Sequence, residues 1–203
     1  AREVHAGQVR KGTERSYFEG HLEPVARLVA GSGGSDVQVA AAYLHDAAED
    51  AGGPSMLARI AGEMSDEVAD LVEHLSDSLV DTAGGGQKEA WGPRKRRYLA
   101  DLRDAPRAAL EVSVADKYDN ARAILDDHAR LGPAVWDLFN ESRPEYQLWY
   151  YGSLDEVFRS RIPGHPLTDR LTDVLAALTD RVREDVPDID ARVATVTETF
   201  ASR

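Results

Sequence analysis

Polar side chains stand out at three places in an otherwise apolar setting. His45 and Asp46 follow the run Val39-Ala40-Ala41-Ala42-Tyr43-Leu44, Asp116 follows Val112-Ser113-Val114-Ala115, and His21 opens a segment rich in Leu and Val. A carboxylate buried without a partner costs several kcal/mol, so such placements require ion pairs or a shared cation. A His beside an Asp favours the cation. Glu49 lies one helical turn beyond His45 and Asp50 one turn beyond Asp46, which aims two more carboxylates at the same mouth. Asn120 stands one turn beyond Asp116, with Lys117 between them. Two imidazoles with two carboxylates form a borderline-hard donor set suited to Mn²⁺, Fe²⁺, Zn²⁺ or Mg²⁺, with positions left for water and a substrate oxygen. Such an ion acidifies bound water, and a neighbouring carboxylate can take the proton. A lone His-Asp dipeptide is weak evidence, and the joint pattern carries the argument.

These residues must be positioned by helices. Leu22, Val25, Ala26, Leu28 and Val29 recur at helical spacing, and Gly31-Ser32-Gly33-Gly34 ends that element. Ser35 or Asp36 then caps a helix predicted to run to about Asp50, apolar nearly all round in its middle and therefore central. Ala51-Gly52-Gly53-Pro54 is a stop and restart, followed by a short helix from Ser55 to Gly62 and a Ser65-capped helix from Asp66 to Leu75. Ser76 to Gln87, with Gly84-Gly85-Gly86, reads as a loop, and helical pattern resumes near Lys88. Ala108 to His128 reads as one long helix, Trp136 to Phe158 as helical with a new start at Pro144, and Leu167–Glu184 and Ile189–Phe200 as a final pair. Ala1 to Val9 reads as the end of a helix, broken by Lys11-Gly12-Thr13, with a loop to Gly20. There is no β-alternation and no internal repeat. The expectation is all-α, with one domain over residues 1–162 and a helical extension over 163–203 packed on it.

Composition narrows the function classes. The 203 residues contain no cysteine, so a metal would rest on imidazole, carboxylate and water. The formal charge of −12 argues against a nucleic-acid-binding surface. The apolar run Val39 to Leu44 falls far short of the roughly 18 residues of a membrane span, and no signal segment opens the chain, so a cytoplasmic protein is expected. Arg10, Lys11 and Arg15 form one cationic cluster. Arg94-Lys95-Arg96-Arg97 form another, expected to be a solvated face. His5 is expected to be structural or to support a site residue from behind, and His74, His128 and His165 lack carboxylates at ligand spacing. Trp136, Phe139, Trp149, Tyr150 and Tyr151 are expected in the core rather than stacked on a base.

The order His21, Leu44-His45-Asp46, Glu49-Asp50, then Val114-Ala115-Asp116-Lys117-Tyr118-Asp119-Asn120 resembles the HD superfamily, in particular the hydrolase domain of RelA/SpoT homologues and the small alarmone hydrolases. His5-Ala6-Gly7-Gln8-Val9-Arg10-Lys11-Gly12-Thr13 resembles the opening helix and substrate loop of that group, Ser16-Tyr17 before His21 its Tyr-x-x-His segment, and Val68 to Asp77 the helix ending in its Thr-Asp pair. Coverage is roughly Ala1 to Leu125. The resemblance implies a bundle of about 8–10 helices around a mononuclear metal site. It implies His21, His45, Asp46 and Asp116 as metal ligands, Glu49 and Asp50 as the carboxylates that position or activate water, and Arg10, Lys11, Tyr17, Lys117 and Asn120 near the nucleotide. The implied reaction removes the 3′-diphosphate of guanosine tetra- or pentaphosphate, with Mn²⁺ as the usual ion and a nucleotide, not nucleic acid or membrane, as partner. Homodimerisation is left open. Three departures are visible: one extra residue between Tyr17 and His21, Leu22 in place of the usual Pro, and the small pair Ala47-Ala48. They keep open another HD nucleotidase or phosphatase, or a silent nucleotide-binding module.

Overall fold

A computed structural model of the protein describes residues 1–81 and 85–201, which places Gly84 of the glycine run outside the described residues. Among the described residues there are ten α-helices and no strand: α1 Glu23–Gly31, α2 Asp36–Leu44, α3 Ala47–Asp50, α4 Pro54–Glu63, α5 Asp66–Leu75, α6 Trp91–Asp104, α7 Arg107–Leu131, α8 Pro144–Arg161, α9 Pro166–Asp185 and α10 Ile189–Ala201. A π-helical turn, Phe18–Leu22, precedes α1, and a 3₁₀ segment, Gly132–Leu138, follows α7. The all-α expectation holds. By its internal contacts the chain divides into two compact units, Ala1–Asp116 and Lys117–Arg203. The boundary drawn from sequence at Pro163 instead separates α8 from α9, which pack on each other within the second unit.

In the first unit α2 is central, packed on α1 and α5, with α4 packed on α5 and α3. Its start is fixed by a reciprocal cap in which Ser35 Oγ accepts from the Gln38 amide and the Ser35 amide donates to Gln38 Oε1. Ala41, Ala42, Ala47 and Ala48 are fully buried, and their small side chains let neighbouring helices approach. Gly53, at φ +54°, permits the turn into α4, because a Cβ there would meet the Leu79 carbonyl oxygen at 2.2 Å. Tyr98 on α6 and the fully buried Ser113 on α7 share a 3.0 Å hydrogen bond.

Three expectations about elements need correction. Residues 2–7 form turns rather than a helix, and Val9 pairs with Ser16 in an isolated antiparallel bridge that closes a tight loop. The segment before His21 is a π-helical turn and not a loop. The central helix does not run unbroken from Asp36 to Asp50, since regular α-helix ends at Leu44 and resumes at Ala47.

In the second unit α9 and α10 pack on α8. Phe158, Leu154, Leu171, Leu178, Val182 and Ile189 are almost fully buried there, and Trp149 lies 4.4 Å from Phe200 between ring centroids. Trp136, Trp149, Tyr150 and Tyr151 are buried, as core residues should be.

Candidate metal centre

The π-helical turn explains how His21 reaches its place. The Glu23 amide donates to the Phe18 carbonyl, a span of five residues, so the turn accommodates one residue more than an α-helical turn. That absorbs the extra residue between Tyr17 and His21, leaving His21 and Leu22 buried and Tyr17 still able to donate its hydroxyl to Asp46 Oδ2. His45 and Asp46 sit at the break between α2 and α3, and Asp116 on α7.

The three stretches converge. His21 Nε2 lies 3.2 Å from His45 Nε2, 3.2 Å from Asp116 Oδ1 and 3.7 Å from Asp46 Oδ2. His45 Nε2 lies 3.2 Å from Asp46 Oδ2 and 3.6 Å from Asp116 Oδ1. His45 Nδ1 is 2.7 Å from the Ala42 carbonyl, where it can only donate, so Nε2 turns its lone pair toward the cluster. Donors about 2.1 Å from one ion stand about 3.0–3.4 Å apart in octahedral or tetrahedral arrangements. Three of the five separations fall in that range and two, at 3.6 and 3.7 Å, lie just above it, and His21, His45 and Asp46 form a group that could hold a divalent ion, with Asp116 Oδ1 3.2 Å from His21. Lone-pair donors packed this closely repel one another unless a cation lies among them.

The electrostatics agree. Burial would lower the His45 pKa, but the Asp46 and Asp116 charges outweigh it and raise it well above the ordinary imidazole value. Burial alone would raise Asp46, yet the His45 charge holds its carboxyl below the usual range. The cluster attracts positive charge. Burial, followed by the charge and hydrogen bond of Asp46, pushes the Tyr17 phenol far above its usual range, with Arg10 opposing, so Tyr17 remains a donor.

Glu49 and Asp50 leave the same short helix in different directions. Glu49 Oε1 accepts from Lys88 Nζ at 2.8 Å, and Arg94 Nη1 lies 4.0 Å from the same oxygen. Burial raises its pKa, as do the Asp77 and Asp46 charges, against the pull of Lys88. Asp50 is exposed and accepts from Gln8 Nε2 at 3.0 Å, while Gln8 Oε1 takes a 2.7 Å hydrogen bond from His5. His5 is buried, as expected of a structural residue, although it lies in a turn.

Among the residues expected near a nucleotide, Arg10 is half-buried and Lys11 exposed on the loop closed by Val9 and Ser16. Tyr17 meets Asp46 directly. Lys117 and Asn120 are half-buried on α7 and belong to the second unit. Of the run Arg94 to Arg97, Arg97 is exposed as expected of a solvated face, but Arg94 and Lys95 are drawn inward. Arg94 and Lys95 are 12% and 17% exposed in their side chains, and both bind Asp77, whose side chain is 5% exposed. Asp77 ends the stretch that resembles the Thr-Asp pair and Arg94 lies in the second cationic cluster, but that they meet each other and Lys88 beside Glu49 was not legible, because these contacts span 17 to 45 residues. His128 finds Asp185 at 3.0 Å within the second unit, a pairing that spacing along one helix could not reveal.

A family model described as an HD domain matches residues 1–140. The crystal structure of lmo0812 from Listeria monocytogenes EGD-e is similar at 26% identity with a TM-score of 0.63, covering 76% of this chain and 96% of that one. No curated protein matches the chain. No helix among the described residues is long and apolar enough to cross a membrane. With the imidazoles and carboxylates gathered as described and the family model matched over more than half its length, this chain belongs to the HD domain family, whose members are generally metal-dependent phosphohydrolases.

Proposed function

We propose that the chain removes the 3′-diphosphate from guanosine tetra- or pentaphosphate, or from a closely related nucleotide. The observation that carries this reading is the convergence of His21, His45, Asp46 and Asp116 with Glu49 close enough to feel the Asp46 charge. These four residues would hold a divalent ion, Mn²⁺ by the resemblance. When bound, the ion supplies Lewis acidity toward a phosphoryl oxygen and makes its bound water acidic near neutral pH.

The chain's own residues do the rest. Glu49, its pKa raised by burial, is suited to accept the proton of an attacking water. Asp50 is exposed and held by Gln8, away from the Lys88 side of Glu49, and its part in orienting that water rests on the resemblance alone. Tyr17 fixes the Asp46 carboxylate by donating to it. Arg10 and Lys11 take nucleotide contacts by the resemblance. Of the three departures that kept a different HD nucleotidase open, the extra residue before His21 is accommodated by the π-helical turn, while Leu22 and the buried pair Ala47-Ala48 still favour that second reading.

Incubation of Mn²⁺-loaded protein with guanosine tetraphosphate is expected to release guanosine diphosphate and pyrophosphate. Turnover of other nucleotides at equal metal, with none of guanosine tetraphosphate, would reject this substrate and favour another HD nucleotidase.

A further inference from the structure

Six charged side chains of the first unit, Glu49, Asp77, Lys88, Arg94, Lys95 and Arg97, form a second cluster. Asp77 Oδ2 accepts from both Arg94 and Lys95, and the Arg97 guanidinium donates to the Asp77 carbonyl at 3.3 Å. Arg94 therefore stands between two carboxylates, bonded to Asp77 and 4.0 Å from Glu49, while Lys88 closes on Glu49 at 2.8 Å. Lys88 and Arg94 thus approach the same Glu49 oxygen from two sides, in a chain of net charge −12. Arg94 Nε is buried with no hydrogen-bond partner among the described residues, so the guanidinium has donor capacity that Asp77 does not use.

Lys88 and Arg94 converge on one oxygen of a candidate proton acceptor, and so present two charged donors to an anion that takes the place of that carboxylate. The arrangement suits an anion that arrives with the substrate. We propose that Lys88 and Arg94 form a phosphate-binding subsite beside Glu49, with Asp77 as the positioning residue that holds Arg94 in place. The inference rests on the phosphohydrolase reading for its substrate class but not for its geometry. A guanidinium fork matches phosphate oxygens, and an ammonium that is 27% exposed can exchange Glu49 for an incoming phosphoryl group. That exchange frees the Glu49 carboxylate to accept a proton when substrate is present.

Titration of the Mn²⁺-loaded full chain with inorganic phosphate tests the subsite. Lys88→Gln and Arg94→Gln are each expected to weaken phosphate binding about tenfold or more, with Lys88→Arg restoring most of it, while bound manganese per chain stays at the wild-type level. Asp77→Asn is expected to weaken phosphate through Arg94, and in a nucleotide assay to raise KM more than it lowers kcat. Should Asp77→Asn fail to fold, the two glutamine variants decide alone. Phosphate affinity within about twofold of wild type in both would overturn the subsite. If phosphate binding depends on Lys88 and Arg94 but no nucleotide is hydrolysed, the subsite stands and the proposed reaction falls. If nucleotides are hydrolysed with KM unmoved by either variant, the reaction stands and the subsite falls.

Discussion

The first unit meets the problem of a buried carboxylate twice and answers it in opposite ways. Asp77 is surrounded by cations of its own chain, Arg94 and Lys95, and its carboxyl is held well below the usual range: burial alone would raise it, and the two positive charges more than reverse that. Asp46 and Asp116 are surrounded by imidazoles, whose nitrogens are ligands first and cations only when protonated. The first cluster is neutralised by permanently charged side chains, whereas in the second the imidazole charge that steadies Asp46 would be exchanged for a divalent ion, since an imidazole must lose its proton to act as a ligand. The difference marks a structural carboxylate apart from a ligating one more clearly than burial does, since Asp77 and Asp116 are buried to similar degrees.

The largest effect should come from removing a carboxylate of the ligating cluster. Asp116→Ala is expected to abolish both metal retention and turnover, measured by elemental analysis of protein purified without chelator and by pyrophosphate release. Retained metal at the wild-type level would show that Asp116 is not a ligand. Glu49→Ala should separate the two properties, keeping the metal while lowering kcat by about 10²–10⁴. Full activity in that variant would remove Glu49 from its proposed role.

On the other side of the comparison, Asp77→Ala should destabilise the protein by about 3 kcal/mol, the lower end for a broken buried pair because Arg94 and Lys95 keep some contact with water. The pH dependence has a defined sign. Because the folded-state pKa of Asp77 is depressed, its stabilisation is fully present above the unfolded value of about 3.9 and is lost as pH falls toward the folded value. The stability gap between wild type and Asp77→Ala, measured by urea denaturation, should therefore hold from pH 7 to about pH 5 and shrink below about pH 4. A gap that widens on acidification would contradict the assignment.

Much of the scaffold was legible in the sequence because it is local. Ser35 with Gln38, Ser65 before Asp66, and Pro144 and Pro163-Gly164 as breaks mark helix ends that the structure reproduces within a few residues. His45, Asp46 and Asp116 were visible as polar residues in apolar runs, a contradiction that only tertiary partners resolve. The break between α2 and α3 was not visible, since no Gly or Pro interrupts Leu44 to Ala47 and the cause lies in how His45 and Asp46 are held. The Asp77 network was hidden for a related reason. Arg94 to Arg97 read as a solvated face because charge runs usually are one, and nothing nearby in sequence announces the buried carboxylate that draws Arg94 and Lys95 inward.

The smallest effect sharpens the comparison at a single hydroxyl. Tyr17 was expected to face the nucleotide, yet its hydroxyl donates to Asp46, and its ring lies 5.2 Å from both His5 and His21. Tyr17→Phe keeps the ring and removes only the hydrogen bond, so packing should survive and Asp46 should lose one constraint on its orientation. Removing such an outer contact from a ligand weakens metal binding by about 10–100-fold in other metal sites. The same loss is expected here in manganese titrations, with phosphate affinity at saturating metal unchanged, because Tyr17 lies outside the group formed by Lys88 and Arg94. If Tyr17→Phe instead left manganese affinity intact and raised KM for the nucleotide, Tyr17 would belong with the substrate contacts, and Asp46 would be oriented by His21 and His45 alone.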